Sequence, residues 1–583
     1  MRAATLARPR VGVKPPAPAS ALPRLRAPLV FGALALLFAT LAVRSLYLQG
    51  IDNEFLQEQG SARSSREIEL PAHRGRIVDR WGEALAVSTP MKSVWAFPAK
   101  VESSPTQIAA LAKLLETTPA KLAAKLDSGD DFVFLARQVP PEVADRVAAL
   151  RIKGIHDQNE YRRFYPAAET TSHILGFTGD GDVGQEGIEL AQQSWLAGRP
   201  GSRRVVINRR GDVVEDVESV RAPQAGRDLA LALDSRLQYL AFRELKAAIE
   251  LNKAKAGGIV VIDAASGEIL ALANWPTYNP NARNKVAREK MRNRALTDVF
   301  EPGSTMKPFT IAAALEAGTV GPSTVIQTGG GALTIGPNTI HDAHPGGALT
   351  VEQVIQKSSN VGAARIALGL PPDTMWKMLA GAGFGTPPAT GFPGEVSGRL
   401  RPAKTWKPIE QATMSYGHGL SVNLVQLARA YSVFATDGEL KPATLFKTAG
   451  PVAGRPVLAP ETAQAVRRML ELAVLPGGTA PRAQVAGYRV AGKTGTAHKL
   501  EGRGYTNKYV SSFVGFAPVS NPRLIVAVMI DEPAAGQYYG GAVAAPVFSA
   551  VTGGSLRLLG VPTDAPVDNV VLPPAGAEIR EET

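Results

Sequence analysis

One stretch of the chain is apolar without interruption. Residues 27–43 carry no charge, and Leu46, Tyr47 and Leu48 extend the run past Arg44. That length approaches the ~20 residues a helix needs to cross hydrocarbon, and Arg44 and Tyr47 sit where side chains reach the interface. The run exceeds the ~7–15 residue core of a signal peptide and no small-x-small site follows, so an uncleaved anchor over residues 27–49 is predicted. No other stretch is long and apolar enough to span. Beyond it, residues 50–225 alternate short strand-like runs (75–78, 205–206) with helical ones (107–116, 119–126), which predicts an extended α+β spacer. The texture changes at Gly226. Residues 228–233 alternate as a strand, and Asp234 is placed to cap a helix running to about Asn252. Residues 258–263 and 268–274 read as strands joined by a hairpin at Ala264-Ala265-Ser266-Gly267. Helical stretches follow to about residue 475, then strands over 489–498, 509–517 and 523–531. Strands at both ends with helices between predict an α+β domain over residues 226–560, an antiparallel sheet covered by helices. Residues 561–583 are proline-rich and read as a tail, and no internal repeat is visible.

Composition adds bounds. A hydrophobic fraction of 45% is enough for most of the chain to fold. There is no cysteine, which excludes disulfides, thiolate metal sites and a cysteine nucleophile. Half of the formal net charge of +12 comes from Arg2, Arg8, Arg10, Lys14, Arg24 and Arg26, with no acid among residues 1–26. That proline-containing segment is expected to be disordered. The positive-inside rule puts it in the cytoplasm and everything after about Gly50 outside. The remainder holds no dense basic run with interleaved aromatics, so nucleic acid is not an expected partner.

Three polar clusters interrupt the apolar pattern of residues 226–560. In the first, Pro302 and Gly303 break structure and an apolar helical run begins at Phe309. Pro308 is tolerated only in a first turn, so the helix should begin near Ser304. Ser304 and Lys307 then share one face. A serine hydroxyl is a weak nucleophile until a base takes its proton, and a partly buried lysine can serve. The same four residues equally describe a capping serine followed by a surface lysine. In the second, Thr350 and Gln353 have capping-box spacing for a short helix to about Lys357. Ser358-Ser359-Asn360 interrupts it, either as a self-bonded turn or with Ser358 and Asn360 aimed into a cleft. The third is Lys493-Thr494-Gly495-Thr496 at a strand, where Gly495 permits close approach of a ligand, Lys493 supplies charge and a strand edge can pair with an extended peptide.

S-x-x-K, S-x-N and K-T-G in this order resemble the active-site signature of penicillin-binding proteins and serine β-lactamases. The intervals are 54 and 135 residues. Further stretches are similar to class B penicillin-binding proteins: residues 74–80 and 184–189 resemble pedestal (dimerisation-type) motifs, 416–421 a loop lining the cleft, and 540–548 the closing helix. Residues 493–518 and 537–541 resemble proteobacterial division-specific members more than elongation-specific ones, and there is no room for a glycosyltransferase domain. The resemblance implies a five-stranded, serine β-lactamase-like transpeptidase domain on a periplasmic pedestal, in a single-pass protein of the inner membrane. It implies a septal peptidoglycan D,D-transpeptidase inhibited by β-lactams. Ser304 would be the acylated nucleophile and Lys307 its proton acceptor. Ser358 would relay a proton to the leaving group and Asn360 would hold the substrate amide. Lys493 and Thr494 would bind the terminal carboxylate, assisted by Gly495 and Thr496. The backbone N–H groups of Ser304 and Thr496 would form the oxyanion hole. Substrates would be D-Ala-D-Ala stem peptides with an amine acceptor, partners a septal glycan polymerase and other division proteins, and no cofactor or metal would be needed. His418 stands where an aromatic residue is expected. The competing readings are an elongation-specific transpeptidase, a D,D-carboxypeptidase or β-lactamase, and a non-catalytic β-lactam sensor or division scaffold.

Two other patterns are discounted. Gly179-Asp180-Gly181-Asp182-Val183-Gly184 spells G-x-G-x-x-G, but its aspartates would repel a phosphate and no βαβ unit surrounds it. His341 and His344 sit in a Gly/Pro-rich loop with no third ligand nearby, so a metal is not expected there.

Overall fold

The computed structural model describes residues 12, 26–50, 65–207, 213–283, 285–502, 504–572, 574 and 581. Apart from Gly12 and Arg26, the basic segment expected to be disordered lies outside the described residues. The chain divides into two compact units, residues 1–69 with 202–221, and residues 70–201 with 222–583.

The first unit holds the helix Arg26–Gly50, of which Arg26–Leu48 is long and apolar enough to cross a membrane and is unburied by protein. It also holds most of a three-stranded sheet in the order Ser65–Leu70, Gly201–Ile207, Val213–Arg221.

In the second unit, the pedestal part is built on the long strand Ala84–Ala96, which pairs antiparallel with Val133–Val139 and Ile155–Phe164. Helices Pro105–Leu114, Pro119–Leu126 and Pro141–Ala149 close a small core around Val94, Leu111, Leu122, Leu135 and Val147. Ser104 and Gln107 form a reciprocal capping box at the first of these.

The two pedestal motifs meet. Arg74 and Arg163, both buried, converge on the buried carboxylate of Glu189. Arg74 Nε donates to Oε2 at 2.8 Å and Arg163 Nε to Oε1 at 2.6 Å. Arg74 also donates to the carbonyl of Asp182 at 3.0 Å and to Gln193 Oε1 at 2.7 Å. The G-x-G-x-x-G stretch is therefore a structural turn gripped by Arg74. From the same motif, Asp79 accepts hydrogen bonds from the backbone N–H and hydroxyl of Ser235, the first residue of helix Ser235–Leu251. Asp234 caps that helix through the N–H of Arg236 and also accepts from Trp81 Nε1. Residues 74–81 thus tie the pedestal part to the catalytic part.

The catalytic part centres on five antiparallel strands: β1 (Ala256–Asp263), β2 (Ile269–Trp275), β3 (Ala491–Glu501), β4 (Gly504–Ala517) and β5 (Leu524–Asp531). Their order is β2-β1-β5-β4-β3. β1, β2 and β5 are buried along almost their whole length, which is why they read as continuous apolar runs. Helices Ser235–Leu251 and Ala545–Leu558 pack on one face with Phe513 and Phe548. The helices between β2 and β3 form the larger core, around Phe309, Tyr431 and Phe434. β3, an edge strand, carries Lys493 to Thr496. Part of the expected C-terminal tail is tied down. Asp564 accepts from the Arg489 N–H at 2.7 Å, and the Val571 N–H donates to Gln484 Oε1 at 3.0 Å.

Candidate active site

Ser304 lies in a 3-10 turn, Gly303–Met306, that leads directly into the helix Lys307–Glu316, with Pro308 in the first helical turn. The regular helix therefore begins three residues after Ser304, because the tight turn is what precedes Lys307. Gly303 has φ +56 and passes against β3: a Cβ there would lie 3.2 Å from the Thr496 carbonyl oxygen and 3.4 Å from its nitrogen. Gly417, at φ +89, is closer still, since a Cβ would stand 2.1 Å from the Gly303 carbonyl oxygen. Close backbone approach requires the glycine at 417, while at 303 the left-handed backbone favours glycine and the contact with β3 is tight.

The three clusters that lie far apart in sequence converge. Lys307 Nζ donates to Ser304 Oγ at 2.8 Å and to Ser358 Oγ at 3.0 Å, and it also binds the Ser358 carbonyl. Lys493 Nζ reaches the same Ser358 Oγ at 2.9 Å and Thr494 Oγ1 at 3.2 Å. Ser304, Lys307, Ser358 and Lys493 are all buried. They form one hydrogen-bonded chain in which Ser358 sits between two lysine Nζ atoms, an arrangement that can pass a proton along it.

Local structure aims these groups. The capping box between Thr350 and Gln353 starts the helix Val351–Lys357, and Ser358 ends it in the left-handed region at φ +61. That unfavourable backbone turns Ser358 toward the lysines. Ser359 caps the next helix, Asn360–Leu368, through the Gly362 N–H. Ser359 Oγ also donates to Asp342 Oδ2 at 2.6 Å, and Asp342 Oδ1 accepts the Val361 N–H at 2.8 Å. Of the two readings of Ser358-Ser359-Asn360, Ser359 is the self-bonded cap, while Ser358 belongs to the lysine chain. The Asn360 side-chain carbonyl is buried without a hydrogen-bond partner among the described residues. On β3, a Cβ at Gly495 would collide with the Pro302 carbonyl and Ser512 Oγ, both 2.6 Å away. Thr496 Oγ1 accepts the Gly540 N–H at 3.0 Å.

Sequence reasoning missed several groups. In the sequence Asp342 stands only within the discounted His341–His344 loop pattern, which gives no sign that it braces Ser359. Glu301 Oε1 accepts the Gly419 N–H at 2.8 Å, and Tyr505 donates to its Oε2 at 3.0 Å. Burial pushes the Glu301 carboxyl above the usual range, and these two donors partly offset it. No pattern links residues 118 and 204 positions apart in the chain. Among the described residues no group of three or more His, Asp or Glu is placed to hold a metal ion.

His418 packs its ring 5.2 Å from Tyr416 and 6.1 Å from Tyr505. Burial first, then the electrostatic influence of the neighbouring Lys307 and His498, lowers its pKa to about 4. Above the ordinary value of ~6.5 the ring is neutral in folded and unfolded chains alike. As pH falls from there toward 4 the unfolded chain takes the proton first. Stability then drops by at most ~1.4 kcal/mol per pH unit and levels off below the folded value. His418→Gln is expected to lose less melting temperature between pH 7 and pH 5 than the wild type. Equal losses would contradict the burial of a neutral imidazole.

The family described as "Penicillin binding protein transpeptidase domain" matches residues 257–553, and that described as "Penicillin-binding Protein dimerisation domain" matches residues 69–231. The chain is 43% identical to the "Probable peptidoglycan D,D-transpeptidase PenA" of Neisseria gonorrhoeae, covering 92% of this chain and 93% of that one. It is 42% identical to the "Peptidoglycan D,D-transpeptidase FtsI" of Escherichia coli K12, covering 92% of each. The transpeptidase domain of Burkholderia pseudomallei penicillin-binding protein 3 superposes with TM-score 0.54 at 53% identity, covering 58% of this chain and 98% of that one.

Proposed function

This chain belongs to the class B penicillin-binding proteins, and we propose that it is a peptidoglycan D,D-transpeptidase working at the division septum. The observation that carries the chemistry is the buried chain Ser304–Lys307–Ser358–Lys493.

Lys307 takes the proton of Ser304 as Oγ attacks the carbonyl of the penultimate D-alanine of a donor stem peptide. The developing oxyanion is held by the backbone N–H groups of Ser304 and Thr496, which the close approach of Gly303 to β3 supports. Ser358 delivers a proton to the departing D-alanine nitrogen, and an acyl-enzyme remains on Ser304. An amine from a second stem peptide then attacks, loses its proton back through Ser358 and Lys307, and leaves with the acyl group as a cross-link. Asn360, with a buried carbonyl free to accept, holds the donor amide. Lys493, Thr494 and Thr496 bind the terminal carboxylate, with Gly495 keeping β3 close. β-Lactams acylate the same serine.

The helix Arg26–Gly50 is the anchor, with residues 1–26 cytoplasmic and the rest periplasmic. The septal assignment rests on the resemblance of residues 493–518 and 537–541 to division-specific members. It makes a septal glycan polymerase and other division proteins the partners of the span and pedestal.

Fluorescent-penicillin labelling of membranes tests the reading. The wild type is expected to label stably and Ser304→Ala not at all. Absence of labelling of the folded wild type would overturn it, and a label that decays within seconds would identify a hydrolase.

A further inference from the structure

A carboxylate of the chain itself stands in the cleft. Glu581 is 4% exposed. Its Oε2 accepts from Thr496 Oγ1 at 3.0 Å, and its Oε1 accepts the backbone N–H of Gly541 at 2.6 Å. Burial raises its pKa, while the charge of Lys493 and the hydrogen bonds from Gly541, Thr496 and Thr494 favour the ionised form. A carboxylate is buried only where donors and charge replace its water. Except for the Gly541 N–H, the groups that do so here lie on β3, the strand that takes the donor's terminal carboxylate in the function proposed above. The inference therefore rests on that reading.

A glutamate side chain and a peptide C-terminus present the same group, two acceptor oxygens sharing one negative charge. We infer that Glu581 is an intramolecular occupant of the donor-carboxylate seat, and that the Gly541 N–H is a further donor of that seat. A carboxylate tethered to the same chain faces the seat at an effective concentration on the order of millimolar, so a stem peptide or β-lactam must displace it to bind. The conformation competent for substrate is then only a fraction of the population, and apparent affinity falls by that fraction. Glu581 is held through Thr496 Oγ1 and the Gly541 N–H, and neither is the attacking hydroxyl nor its base, so the acylation step itself is unaffected once Glu581 has left.

The test is stopped-flow acylation of the full chain in detergent by a fluorescent penicillin, comparing wild type, Glu581→Gln and Glu581→Ala. Both variants are expected to reach half-maximal acylation rate at lower penicillin, by about tenfold for Glu581→Ala if the seat is free about one time in ten. Glu581→Gln should fall between, and the limiting rate at saturation should be unchanged. Identical concentration dependence in all three chains would overturn the inference while leaving the function standing. So would a lower limiting rate in the variants, which would make Glu581 a support of the site. Absence of acylation in every chain would instead overturn the functional reading on which the inference rests.

Discussion

Lys307→Ala is expected to slow acylation of Ser304 by about 10³-fold or more, within the range general-base catalysis supplies. Lys307 Nζ lies 2.8 Å from Ser304 Oγ and is fully buried, and the same nitrogen orients Ser358. Truncation removes both functions and leaves a serine hydroxyl at its ordinary, unreactive pKa. Lys307→Arg should not restore the rate, because a guanidinium does not give up its proton in a protein. Second-order rate constants for penicillin acylation check this, with thermal melts to establish that each variant is folded. A folded Lys307→Ala variant within about tenfold of wild type would assign the proton to another group.

The second large effect is on stability and lies outside the cleft. Glu189→Ala is expected to cost about 3–5 kcal/mol, the usual penalty for removing one partner of a buried ionic cluster. Arg74 and Arg163 would both lose their carboxylate in a site where the three side chains are 0–1% exposed. The coupling reaches the catalytic part, because residues 74–81 also hold the start of helix Ser235–Leu251 through Asp79. Denaturant unfolding of the detergent-solubilised chain, followed through the pedestal tryptophans, should show an early transition in the variant. An unchanged midpoint would mean that water or another acid replaces Glu189.

The parts of this architecture visible in the sequence are those set by local rules. Asp234, Thr350 and Gln353 announce their helices because capping is a contact over two or three residues. The five strands are legible because β1, β2 and β5 are buried on both faces and their apolar runs are unbroken. The triplets around Ser304, Ser358 and Lys493 are legible through their resemblance to a known signature, whereas spacing alone left Ser304 as a plausible cap and Ser358 as a plausible turn. What was hidden depends on residues brought together across long stretches of chain. Gly417 beside Gly303, Tyr505 on Glu301, Asp342 under Ser359 and Glu189 under Arg74 have no periodicity to betray them. Glu581 is the extreme case, one acid in a segment read as a tail, 85 positions from the threonine it meets.

The central claim is that Ser304 carries an acyl group from one stem peptide to the amine of another. Purified full chain should be incubated with a D-Ala-D-Ala stem peptide, with and without an amine acceptor, and analysed by mass spectrometry of both protein and products. The account predicts an adduct on the peptide containing Ser304, one D-alanine released per acyl group transferred, and a donor–acceptor conjugate that forms only when the amine is present. D-alanine release yielding only hydrolysed peptide at saturating amine, or an adduct on any residue other than Ser304, would contradict it.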